Sequence, residues 1–234
     1  MRGISFVKGK PAMKIGSTLV VSDLHIGLEF KFSGSGVYFP NASRKMANEI
    51  LEICKASKAS DLVILGDVKE SIGNVTRDEE NALREFFETL KGVRIRIAKG
   101  NHDAYLDRIL KKLGFDVPVE KEIFLGNAAL MHGNFMPSSE AMKKRYLVMG
   151  HGHMAAYVNG ELEKVWFIAG IGKGAGRSYS ECNAAAKLII VPAFNSMITG
   201  SGFSTESKRH MPLLRNEVFA AERAEVRTLS GLRL

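Results

Sequence analysis

Six histidines are spread along the 234 residues, and five of them stand in short polar motifs. His25 closes Asp23-Leu24-His25, and His102 lies in Gly100-Asn101-His102-Asp103. His132 sits between Met131 and Gly133, while His151 and His153 share Gly150-His151-Gly152-His153. Asp67 follows Gly66, with Glu70 three residues on. Neutral imidazoles, carboxylates and a carboxamide oxygen are donors for borderline divalent metals such as Mn, Fe, Co, Ni and Zn. The set is too large for one tetrahedral zinc, which takes about four ligands. Two cations around a shared carboxylate use it economically. Such pairs, roughly 3.5–4 Å apart, clamp the attacking and leaving oxygens of an in-line phosphoryl displacement. Taken singly, each motif has a plainer reading: Asp23 as a turn cap, Gly66-Asp67 as a strand-ending turn, His132 as an ordinary hydrogen-bonded histidine. Jointly, in order and at strand ends, they predict a metal site. Residues 23 and 25, or 151 and 153, can both reach one site only if the backbone turns between them, which Gly152 permits.

The elements that would position these side chains are legible from periodicity. An apolar run at 18–21 predicts a buried strand ending before Ser22-Asp23. Asn41 or Ser43 would cap a helix running to about Lys55, with Met46, Ile50, Ile53 and Cys54 on one face. Residues 62–65 predict a second buried strand stopping at Gly66-Asp67. Thr76 and Glu79 have capping-box spacing before a helix that turns Leu83, Phe86, Phe87 and Leu90 inward and is closed by Gly92. Val93, Ile95 and Ile97 alternate with Arg94 and Arg96 on a half-exposed strand running into Gly100. A third helix is expected over 103–113. After Pro118 short strands are expected at 122–125, 128–131, 147–149, 165–168 and 188–191, with a brief helix near 138–145. The first half therefore reads as β-α-β-α-β around a parallel sheet, and the second as antiparallel or mixed. Ligands of open α/β sheets gather beyond the carboxyl ends of strands. That rule brings Asp23, His25, Asp67, Asn101, His102 and Asp103 to one edge.

These motifs in this order resemble the signature of the calcineurin-like metallophosphoesterases over roughly residues 19–153. Segments 21–29, 65–69 and 191–195 are similar to one branch of that superfamily, the small ICC-like or SbcD-related phosphoesterases, including the DNA-ligase-associated type with its DNA-repair setting. The resemblance implies a four-layer α/β/β/α sandwich of two mixed β-sheets. It implies a single domain over 1–234, with a motif core at about 17–200 and a C-terminal extension, 204–234, on the core or at a homodimer contact. It assigns Asp23, His25, Asp67 and His153 to one divalent ion and Asp67, Asn101, His132 and His151 to another, with Asp67 bridging. Manganese is the first choice, with Fe, Ni, Co or Zn as alternatives. His102 would face the leaving group as general acid, oriented by Asp103, and Glu70 would support the ligands from behind. The implied reaction is phosphodiester hydrolysis by hydroxide held between the ions. The short gap between His132 and His151 leaves little room for a capping subdomain there.

Composition bounds the remainder. Hydrophobic residues make up 45% and charged residues 25% of the chain, which excludes a mainly disordered or fibrous protein. Two cysteines point to a reducing compartment. No stretch approaches the roughly 20 apolar residues of a membrane span. Residues 1–14 lack an apolar signal core, so a cytoplasmic location is expected. Thirty-three Lys and Arg against 25 Asp and Glu leave +8, a balance that favours anionic partners. Lys143, Lys144, Arg145, Lys173 and Arg177 flank the second-half motifs and are candidates to track the phosphates of DNA or RNA; the alternative is a solvated helix end and loop. Phe30, Phe32, Tyr38 and Phe39, in a loop after the first motif, fit either base stacking or core packing. The glycine-rich segment 170–176 lacks Gly-x-x-x-x-Gly-Lys-Ser/Thr order and reads as a flexible rim loop. The competing functions are a small-molecule phosphomonoesterase or cyclic-nucleotide phosphodiesterase, and a non-catalytic scaffold of the same fold. The complete donor set argues against the scaffold.

Overall fold

The computed structural model describes residues 3–33, 36–202 and 208–234. Its first sheet begins as an antiparallel meander of β1 (Ile4–Phe6), β2 (Met13–Ile15) and β3 (Thr18–Val21). β4 (Asp61–Ile64), β5 (Arg94–Ala98) and β6 (Val119–Glu120) then add in parallel. The crossovers carry α1 (Leu28–Ser33), α2 (Ala42–Ser57), α3 (Arg77–Thr89) and α4 (Leu106–Lys112). α2 buries Met46, Ile50, Ile53 and Cys54 as its periodicity requires, and it ends where Lys58 turns left-handed at φ 54°. At the start of α3 the Thr76 hydroxyl accepts from Glu79 N–H at 3.2 Å. The capping box is one-sided: the Glu79 carboxylate reaches outward to Glu70 N–H (3.0 Å) and Ser71 N–H (2.8 Å). α4 starts three residues later than the pattern suggested, because Tyr105 takes a positive φ of 60° and Asp103 is engaged with backbone amides below the site.

The second sheet comprises β7 (Ile123–Leu125), β8 (Ala128–Met131), β9 (Tyr146–Met149), β10 (Met154–Val158), β11 (Glu161–Gly170), β12 (Lys187–Ile190), β13 (Ser201–Gly202) and β14 (Glu225–Thr228). Its order is β13-β10-β11-β12-β9-β8-β7, with β14 also on β11. β8, β9 and β12 are mutually parallel; β7, β10, β11 and β14 pair antiparallel. The sheet is mixed, as expected of the second half.

Period-two alternation of apolar residues explains the layers. On β3, Leu19 and Val21 join the core under the helices while Val20 joins the core between the sheets. On β12, Ile189 faces that middle core, whereas Leu188 and Ile190 face an outer one. Trp166 fills the middle layer, tilted on Phe6 at 4.4 Å. Three apolar cores thus separate helices, sheet, sheet and an outer layer. The outer layer holds α5 (Ser139–Met142), α6 (Ala175–Ser178) and α7 (Pro212–Arg215). The C-terminal extension builds core here: Leu213, Leu214 and Phe219 are wholly buried, and Leu229 packs on the middle layer. Its residues 204–207 lie outside the described residues.

Two sequence expectations change. Phe30 and Phe32 belong to the helix α1 and are exposed. Segment 170–176 is docked rather than a free rim, since Gly172 and Gly174 N–H groups donate to Val218 and Glu217 carbonyls at 2.9 and 2.8 Å.

Candidate metal centre

Beyond the carboxyl ends of β3, β4, β8 and β9 the backbone turns left-handed at Asp23 (φ 53°), His25 (42°), Asp67 (47°), His151 (62°) and His153 (39°). Non-glycine residues avoid this region, and its use marks sites where geometry outweighs local strain. These turns let alternate residues in Asp23-Leu24-His25 and His151-Gly152-His153 point the same way. Two glycines permit the close approach. A Cβ on Gly100 would stand 2.2 Å from Asp67 Oδ1, and one on Gly150 only 1.7 Å from Ser22 Oγ.

Asp23, His25, Asp67, Asn101, His102, His132, His151 and His153 meet in one place. Three groups among the described residues could hold a metal ion: Asp23/His25/His153, His25/Asp67/His102 and Asp67/His132/His151. Hydrogen-bond partners fix the tautomers. His132 Nδ1 lies 2.7 Å from the Leu65 carbonyl and His151 Nε2 lies 3.1 Å from the His210 carbonyl, so both are N–H donors. The remaining lone pairs, His132 Nε2 and His151 Nδ1, face each other at 3.0 Å. Asn101 Oδ1 and Asp67 Oδ2 stand 3.1 and 3.3 Å from that same His132 Nε2. On the other side His25 Nδ1 donates to Glu70 Oε2 at 2.6 Å. His25 Nε2 and His153 Nε2 are then buried with no hydrogen bond, beside Asp67 Oδ2 (3.6 Å) and Asp23 Oδ1 (3.2 Å). Lone pairs and carboxylates converging in this way repel unless a cation or a proton sits among them. The donor set therefore fits divalent metal.

Electrostatics agree. Burial disfavours charge on Asp23, but His153, His132 and the Ser22 hydroxyl, 2.6 Å away, hold its carboxyl below the usual range. Burial likewise opposes charge on His132, yet the Asp67 hydrogen bond and the charges of Asp23 and Asp67 push it up to about 9. Burial, together with that neighbouring cation, presses His151 down to about 4. The negative charge collected here thus holds a proton where a metal would otherwise sit.

His102 lies half-buried at the mouth. Its N–H donates to Asp67 Oδ1 (2.9 Å), and its Nδ1 lies 2.5 Å from the Glu70 carbonyl. The expectation that Asp103 orients this ring is corrected: both Asp103 oxygens accept from backbone amides, Gly100 at 2.8 Å and Val68 at 2.9 Å. Asp103 ties the ends of β4 and β5 together, and burial pushes its carboxyl up. Glu70 places one carboxylate oxygen on His25 and the other on Lys31.

The five basic residues proposed to track phosphate are not brought to this edge. Arg145 immediately precedes β9, whereas His151 follows its carboxyl end, roughly 13 Å of strand away. β11 runs antiparallel to β12, so Gly170 pairs with Lys187 at the far edge, and Lys173 and Arg177 lie beyond it. All but Arg145 are ion-paired: Lys143 with Glu181, Lys144 with Glu140, and Lys173 and Arg177 with Glu217. For Lys143, Lys144 and Arg145 the position before rather than after a strand was the signal against them; Lys173 and Arg177 follow β11, which runs antiparallel to the motif-bearing strands. The motifs, conversely, gave no hint of Lys31 or the His210 carbonyl, which act through contacts distant in sequence. Ser22 was readable as the polar neighbour of Asp23.

A family model described as Calcineurin-like phosphoesterase matches residues 16–217. No curated protein sequence matches the chain. The crystal structure of Pseudomonas putida nuclease MPE is similar in fold, 17% identical, with 96% of this chain and 92% of that one covered and a TM-score of 0.63. Yfce, a phosphoesterase from E. coli, is 25% identical over 58% of this chain and 70% of its own, with a TM-score of 0.36. With the family match spanning most of the chain, this protein belongs to the calcineurin-like phosphoesterase family and is a hydrolase of phosphoester bonds.

Proposed function

We propose that the chain is a two-metal phosphodiesterase of the ICC-like, SbcD-related branch, acting on nucleic acid, with manganese as its preferred ion and the cytoplasm as its place of work. The observation that carries the reading is the meeting of two donor groups at Asp67: Asp23, His25 and His153 on one side, Asn101, His132 and His151 on the other. When bound, a divalent pair lowers the pKa of a water and neutralises charge on the phosphoryl oxygens.

The chain's own residues do the rest. Asp67 offers one oxygen to both donor groups while the His102 N–H holds the other. Glu70 and the Leu65 and His210 carbonyls fix the three ring tautomers, so each imidazole presents a lone pair inward. The His102 Nδ1–H donates to the Glu70 carbonyl, which leaves Nε2 as the atom that delivers a proton to the departing alkoxide. The shared fold of a nuclease shows only that such a scaffold can serve a polynucleotide. The excess of positive charge supports an anionic polymer here.

A panel of chromogenic mono- and diesters and oligonucleotides, each with Mn, Ni, Zn or Mg, tests the reading. Diester and oligonucleotide cleavage greatest with Mn is expected. Turnover of monoesters alone would contradict it.

A further inference from the structure

We propose that the segment 193–201, keyed by Asn195 and Lys164, is the positioning device for one donor group, Asp23, His25 and His153, and so sets the affinity of one ion of the pair; this rests on the two-metal reading above. After β12 the chain crosses to the end of β3. Phe194 is buried in the core under the helices, and its N–H donates to the Ser22 carbonyl at 2.7 Å. Asn195, 1% exposed, gives its side-chain amide to the Leu24 carbonyl at 2.8 Å. Its own N–H reaches the Asp23 carbonyl at 3.5 Å.

The turn gripped in this way needs holding. Asp23 and His25 both stand at positive φ, a state that persists only where the surroundings over-determine it. On one side the Gly66 and Asp67 carbonyls accept from the N–H groups of Asp23 and His25 at 3.2 and 2.8 Å. Residues 194 and 195 supply the opposite side, where the carbonyls of the turn point. The same segment then reaches the third ligand. Asn195 Oδ1 accepts from Met197 N–H at 2.9 Å and the Asn195 carbonyl from Ile198 N–H at 3.1 Å, closing a turn. Ser201 N–H donates to the His153 carbonyl at 2.9 Å. Gly200 passes so near that a Cβ there would stand 2.2 Å from that oxygen.

Lys164 of β11 anchors the segment from behind. Its ammonium donates to the Ala193 and Asn195 carbonyls at 2.7 and 2.6 Å. Burial lowers this lysine to about 8 against the pull of Asp23 and Glu49. Desolvating an ammonium is costly, and its ion pairs with no carboxylate among the described residues; what it gains is a fixed backbone at 193–195. The other donor group is held from elsewhere, His132 through the Leu65 carbonyl and His151 through the His210 carbonyl. One stretch of chain thus touches the backbone around each member of one group and leaves the second group to other supports.

The test titrates manganese alone into metal-free protein, followed by calorimetry and electron paramagnetic resonance. The parent should bind two ions and show the spectrum of a coupled pair. Asn195→Ala and Lys164→Met should keep one ion at parental affinity and bind the other about 10–100-fold more weakly, with loss of the coupled spectrum. Gly200→Ala, which leaves the Asn195 and Lys164 side chains in place, should do the same through His153. Lys164→Arg, which still carries a cation able to donate to both carbonyls, should restore the pair. Gly202→Ala meets nothing within 4 Å and is the control. Both ions weakened in parallel, or both kept at parental affinity in all three weakening variants, overturns the positioning device and leaves the two-metal reading standing. A parent that binds fewer than two ions removes the reading beneath and the device with it.

Discussion

The carbonyl oxygen of Glu70 lies 2.5 Å from Nδ1 of His102, while the carboxylate of the same residue lies 2.6 Å from Nδ1 of His25. One residue thus sets the tautomer of the proposed metal-ligating ring through its side chain and of the proposed acid through its backbone. The two functions separate by mutation.

His102→Ala should keep its metal and lose turnover by about 10²–10⁴-fold. Metal analysis alongside kcat checks this. Unchanged kcat would remove His102 from proton transfer.

Glu70→Gln keeps the carbonyl on His102 but removes the charge behind His25. Metal affinity should weaken about 10–100-fold while kcat at saturating metal changes little. Burial opposes ionisation of Glu70, yet His25 and Lys31 pull it down from 4.5 to about 2. A depressed carboxyl stabilises the fold above pH 4.5, and that contribution fades as pH falls towards 2. The metal-free variant should show a shallower loss of Tm over that window. An identical acid profile would show that Glu70 is not held as described.

His132, raised to about 9 from 6.5, carries a proton that a cation must displace. Metal binding between pH 7 and 8 should release about one proton per chain from this ring, seen as a buffer-dependent heat in calorimetry. With the sign worked out, the protonated ring stabilises the metal-free fold fully below pH 6.5, and that contribution is lost as pH rises through 9. Heats independent of buffer would contradict the assignment.

Gly150→Ala would place a methyl 1.7 Å from Ser22 Oγ and 2.7 Å from Asp23 Oδ2. Overpacking of this kind costs about 1–3 kcal/mol, a fall in Tm on the order of 2–10 °C. Gly176→Ala meets nothing within 4 Å and serves as the control. Equal Tm values would mean that the end of β9 approaches the end of β3 less closely than this.

Much of this was legible because apolar alternation and strand-end motifs are local. The runs at Thr18–Val21 and Asp61–Ile64 declared both their own burial and the polar turns at their carboxyl ends. Asp103 was misread because adjacency to His102 suggests contact, whereas the turn there sends its carboxylate down to Val68 and Gly100. β10 went unseen since Met154–Val158 lacks a clean apolar period and forms by pairing with β11, and the bounds of β14 are likewise set by its pairing with β11. The aromatic residues after His25 could not be placed inside or outside until the helix α1 was seen to leave them exposed.

The count of metal ions per chain, in the parent protein and in Asp67→Asn, bears most directly on the proposed two-metal centre. Elemental analysis after dialysis should find two ions in the parent and a concerted loss of both in the variant. A parent that holds one, or an Asp67→Asn protein that keeps two, would contradict it.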